Sequence, residues 1–119
     1  MPAYRLQFAR KTVDITGMES CRLFGAEEGH ADLGVDWMML PPGCMTRPGR
    51  EPRTRAVIVL SGLGRGSVDG RAEDLGAGFA LYVPAGAEWS LENTGRQPLV
   101  CYAIAKPAGP PAAGGASHE

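Results

Sequence analysis

Glycine and proline interrupt this chain too often for long helices. Among its 119 residues are 17 glycines and 10 prolines. Each breaks a helical run, so the pattern predicts short strands joined by turns. Alternation in Tyr4-Arg5-Leu6-Gln7-Phe8 predicts one strand, and residues 12–16 a second, ended by Gly17. The stretch 19–34, with Glu27, Glu28, Gly29, His30, Asp32 and Gly34, reads as a loop. Val35–Leu40 reads as a strand stopped by Pro41-Pro42-Gly43, and an extended piece follows from Cys44 to Arg47. Arg55–Leu60 is the strongest strand, apolar on both faces in its middle, as in a sandwich core or a subunit interface. Asp69-Gly70 marks a hairpin turn. In the next strand, 79–83, period two puts Phe79, Leu81 and Val83 on the core face and Ala80 and Tyr82 on the other. Strands at 88–93 and 99–105 complete eight or nine. The spacing predicts an all-β sandwich or barrel. Gly62, Gly64 and Gly66 read as bulge and turn glycines. A phosphate loop would have to open a helix, and a strand-like Ser67-Val68 follows instead. One domain is expected over 1–106, followed by a flexible Pro/Gly/Ala-rich tail over 107–119.

Charge narrows the function. Lys and Arg number 12 against 13 Asp and Glu, a net charge of −1. Nucleic-acid or anionic-membrane binding normally needs a large basic excess, so neither partner is expected. No apolar run approaches the ~18 residues of a membrane span. The N-terminal MPAYRLQFARK lacks a signal peptide's apolar segment. Cys21, Cys44 and Cys101 are an odd number without close spacing, as expected of reduced thiols. These features together point to the cytoplasm, and the Arg-, Ala- and Gly-rich composition to a bacterial source.

Two motifs carry a resemblance. Gly43 and Gly62 frame one, and Gly78, Pro84, Gly86 and Asn93 fall at the fixed positions of another. Residues 41–106 thereby resemble the cupin family. Its first motif is Gly, five residues, His-x-His, three residues, Glu, six residues, Gly. Its second is Gly, five residues, Pro-x-Gly, two residues, His, three residues, Asn. The resemblance implies a cupin-like double-stranded β-helix, a jelly-roll barrel with a ligand pocket inside. It also implies four metal-binding positions, three His and one Glu. Here they fall on Gly49, Glu51, Arg55 and Trp89. Glycine has no ligand atom, arginine is a fixed cation, and the indole N–H is only a donor. Glu51 alone would be a poor anchor for a transition metal. The two histidines are His30, in the acidic loop, and His118, in the tail. No metal and no cofactor are therefore expected.

The altered positions suggest other chemistry. Glu51 is the candidate general acid or base. Arg55 and Arg47 would orient an anionic substrate through the guanidinium fork. Trp89 would give a platform for a planar or cyclic ligand. Period two adds Met45 and Arg47 to the face of Gly49, and Asn93 completes the candidate substrate-binding set. Arg50 and Arg53 read as a solvated loop. Cys44 has no nearby histidine to activate it as a nucleophile.

Three readings stay open. The first is a metal-independent enzyme acting by acid–base chemistry on a small anionic or cyclic metabolite, by cyclisation, isomerisation or dehydration. The second is a non-catalytic small-molecule-binding or assembly module. The third is a metal-dependent dioxygenase or isomerase. A homodimer is expected, with the Arg55–Leu60 strand or the N-terminal strands at the seam.

Overall fold

The computed structural model describes residues 11–25 and 32–107. The strand expected at 4–8, His30 and the tail from residue 108 lie outside them. Ten strands form: β1 (Thr12–Val13), β2 (Glu19–Phe24), β3 (Gly34–Leu40), β4 (Gly49–Arg50), β5 (Thr54–Ser61), β6 (Gly64–Val68), β7 (Arg71–Leu75), β8 (Ala80–Val83), β9 (Glu88–Asn93) and β10 (Leu99–Lys106). All pairings are antiparallel, in a six-stranded sheet ordered β1-β2-β3-β10-β5-β8 and a four-stranded sheet ordered β4-β9-β6-β7. The described residues hold no helix, and the two sheets are not closed into one by a hydrogen-bonded ladder. This is the double-sheet form of a jelly roll.

The sheets bury one core between them. Met38, Leu40, Val57, Val59, Leu81, Leu99 and Cys101 come from the large sheet, and Leu75, Trp89 and Leu91 from the small one. Alternation does this work. β3 reads buried at Gly34, Asp36, Met38 and Leu40, with the residues between them half-buried. β10 does the same from Leu99 to Ala105. Gly64 and Gly66 on β6 leave no room for a side chain. A Cβ on Gly66 would sit 2.7 Å from a Leu81 methyl, and one on Gly64 2.7 Å from the Glu92 carbonyl oxygen. They are glycine because neighbouring side chains and backbone fill the space. The expected hairpin is present: Asp69 (φ 50°) and Gly70 (φ 82°) carry the two positive φ angles that a type I′ turn requires.

Four expectations need correction. Residues 19–34 are not all loop, since β2 lies there and pairs with β3. Its alternation is short and runs straight into acidic, glycine-rich sequence, which masks it. The strand at 12–16 stops at Val13, because the Asp14 side chain accepts the backbone N–H groups of Thr16 (2.9 Å) and Met18 (3.2 Å) and turns the chain. Phe79 is 54% exposed. It stands in the turn after Gly78, its N–H bonded to Gly76 O, so the phase of β8 begins only at Ala80. The piece at 44–47 forms a single bridge, Met45 with Glu92, and not a strand.

Candidate functional site

The interior has an apolar end and a charged end. Leu40 and Leu99 are partners at one end of the β3–β10 ladder, and Gly34 and Ala105 at the other. Leu40 and Leu99 share a buried apolar cluster with Val59, Leu91 and Met38. Toward the other end, the inward positions become Asp36, Ala103, Ala105 and Arg55. Alanines between charged side chains leave those charges to line the interior.

Three of the candidate residues come together there. β4 pairs with β9 so that Gly49 lies directly opposite Trp89. Arg55 enters from β5, 5% exposed, with its guanidinium carbon 5.4 Å from the Trp89 ring centroid. That is cation–π distance. Glu51 Oε1 lies 3.6 Å from Arg55 Nη2, and the Glu51 side chain is 14% exposed. The Pro84-x-Gly86 turn sets the place of Glu51. Ala87 N donates to Pro84 O (3.1 Å), and Gly86, at φ 82°, turns its own N–H onto the Glu51 carbonyl (2.7 Å). An L side chain strains at that φ. The second motif therefore positions the carboxylate of the first.

Burial pulls the Arg55 guanidinium below its ordinary pKa. The carboxylates of Glu51 and then Asp36 work against this, while Arg53 and Arg22 add to it. Arginine nonetheless remains a cation. Two buried donors, Arg55 Nε and Trp89 Nε1, have no hydrogen-bond partner among the described residues. Such groups are rare, because each costs its desolvation.

Other candidates are placed differently. Thr46, not its neighbours, points inward: it is 1% exposed and its hydroxyl accepts Leu91 N–H at 2.9 Å. Met45 (48% exposed) and Arg47 therefore lie on the solvent side, not on the face of Gly49. Pro48 resets the alternation before Gly49, which is why counting by two from Gly49 failed. Asn93 is buried but committed to structure. Its amide donates to Leu40 O (2.9 Å) and Gln97 O (2.8 Å), and its carbonyl accepts Gly95 N–H (2.8 Å). Arg50 is an exposed surface anchor, bonding Gly86 O (2.9 Å) beside Asp69 and Glu88. Trp89 has its ring face against Arg55 and is 3% exposed, so it offers an N–H edge, not an open platform.

Sequence reasoning missed one pair. Arg22 Nε meets Asp36 Oδ1 at 2.6 Å, with side chains 11% and 5% exposed. The signal was present: Asp36 shares the inward phase of Met38 and Leu40 in an otherwise apolar strand, and a buried carboxylate requires a cationic or hydrogen-bonding partner.

A model of the Cupin domain matches residues 36–105, more than half of the chain. The chain is a cupin. Solved structures agree in fold. A Thermotoga maritima protein described as a predicted oxalate decarboxylase is 23% identical, with TM-score 0.78, over 88% of this chain and 98% of its own. The polyketide cyclase RemF from Streptomyces resistomycificus is 17% identical, with TM-score 0.78, over 95% and 84%. KdgF from Halomonas sp. is 13% identical, with TM-score 0.76, over 89% and 94%. Among curated proteins no sequence matches significantly. In this cupin the positions expected of the family's metal ligands do not fit a metal. They offer one carboxylate, a guanidinium, an indole N–H and no side chain at Gly49. Nor do three or more His, Cys, Asp or Glu side chains gather in a metal-holding group among the described residues.

Proposed function

We propose that this cupin is a metal-independent enzyme that moves a proton on a small anionic or cyclic metabolite, with Glu51 as the general acid–base group. One observation carries the reading: a mostly buried carboxylate, held among the described residues only by a loose 3.6 Å ion pair, stands beside a buried guanidinium inside the barrel. A carboxylate with a free oxygen can take a proton from carbon or return one to oxygen. Arg55 would hold the charge that develops on the substrate. Cyclisation, isomerisation and dehydration all use this pair of roles. That a protein of the same fold is a polyketide cyclase is in keeping with the class of reaction. The orphaned donors also favour a second reading, a cupin that only binds its ligand.

The test is deuterium exchange from solvent into a panel of small cyclic and aromatic oxo acids, followed by NMR. At least one member exchanges faster with the wild type, and Glu51→Gln slows it at least about tenfold, since such catalysis contributes ~10²–10⁴-fold. Equal exchange by both forms removes Glu51 from the chemistry. No exchange across the panel favours the binding reading.

A further inference from the structure

The two orphaned donors belong to side chains in contact. Arg55 and Trp89 are 95% or more buried, and the guanidinium lies over the indole ring. Glu51 reaches Arg55 only through Nη2, at 3.6 Å, longer than a hydrogen bond. Arg55 Nε and Trp89 Nε1 thus keep their protons directed at no acceptor among the described residues. Neither can accept a hydrogen bond, so only a ligand oxygen or another acceptor satisfies them.

The charge balance says which kind. The groups that act electrostatically on Arg55 are Glu51 and Asp36 on the negative side and Arg53 and Arg22 on the positive. With Arg55 itself these described residues bring three guanidiniums and two carboxylates. Arg22 and Asp36 form a 2.6 Å pair. Glu51 is a loose partner for Arg55, and Arg53 is half-buried. A ligand anion would give the Arg55 guanidinium a closer negative partner than the loose Glu51 contact.

We propose that Arg55 Nε and Trp89 Nε1 together seat one carboxylate of the ligand. Its two oxygens take the two donors, which a carboxylate does with charge-assisted bonds. The ligand carboxylate competes with Glu51 for the guanidinium and leaves the Glu51 oxygens to the rest of the ligand. The inference deepens the proposed function, because it uses the same site and names the ligand's anionic group.

The test uses the whole chain labelled with nitrogen-15, in which Trp37 and Trp89 give two indole N–H signals; Trp37→Phe assigns them. Sodium formate, acetate and benzoate are titrated in, with benzamide as the neutral counterpart of benzoate and sodium phosphate as a different anion. The Trp89 indole signal moves saturably with the carboxylates and Trp37 stays in place. Benzamide and phosphate have weaker effects. Arg55→Lys and Trp89→Phe each weaken carboxylate binding about tenfold or more, the effect of losing a hydrogen bond to a charged group. The wild-type titration stands by itself if a variant does not fold. If none of the three carboxylates moves the Trp89 signal, or both indoles move alike, the seat is not there. An equal response to phosphate overturns the carboxylate assignment. Movement of the Trp89 signal together with Glu51-independent exchange sinks only the proton-transfer reading. An unmoved signal with Glu51-dependent exchange sinks only the seat.

Discussion

Single residues in this cupin divide into those that hold the barrel and those left free to act. Asn93 and Thr46 are buried with their side chains hydrogen-bonded to backbone. Cys101 also belongs to the first group. Burial pushes its thiol from the ordinary 9.0 to about 12. The folded state therefore keeps the proton that the unfolded state loses above about pH 9. The stability this contributes is fully present below pH 9 and is lost as pH rises toward 12. Compared by denaturant unfolding, wild type and Cys101→Ala differ by a gap that narrows by about 1 kcal/mol between roughly pH 8 and pH 10. Cavity effects are common to both pH values and cancel, so a constant gap contradicts the assignment. At this scale the sequence was partly legible. Glu51, Arg55 and Trp89 could be found because two glycine-framed motifs fix their spacing. Met45 and Arg47 could not be placed, because alternation does not pass through Pro48. Nor could the engagement of Asn93, whose partner Leu40 is 53 residues away.

Elements were legible where alternation was long and its ends were punctuated. β3, β5, β9 and β10 lie where Gly and Pro end their runs. β2 was hidden because six residues with a register shift near Phe24 give a weak period before the acidic segment. The Gly64–Val68 strand shows the opposite problem, a glycine series whose reason is a neighbour remote in sequence. Gly66 faces Leu81 across the interior, with Leu75 beside it on the neighbouring strand. A methyl group there overpacks the contact at 2.7 Å, and its nearest neighbours are leucine side chains that can shift only partly. Gly66→Ala is expected to cost about 1–3 kcal/mol, seen as a lower Tm with the β-sheet circular dichroism spectrum retained. An unchanged or raised Tm would show that the two sheets have slack at this point.

The whole molecule presents a second apolar face. On the outside of the large sheet, Tyr102 lies between Trp37 and Ile58, and Ala56 between Ile104 and Tyr82. A groove of about 240 Å³ runs beside Ala56, Tyr82 and Ile104. Tyr82 is 63% exposed and Leu60 43%. We propose that a second copy of the chain covers this face, which gives the outer residues of β5 the interface suggested by their double apolarity. Sedimentation at micromolar concentration is expected to show a dimer, and Tyr82→Glu to shift it to monomer. A wild type that is monomeric throughout contradicts this. Among the described residues no helix is long and apolar enough to cross a membrane.

The central claim is that a Glu51–Arg55–Trp89 cluster works where the family's metal ligands would be expected. Elemental analysis of the purified, untagged protein before and after dialysis against chelator tests it most directly. The account predicts no metal in stoichiometric amount at either stage. One metal ion per chain that survives the chelator would contradict it and turn attention to oxygenase or isomerase chemistry.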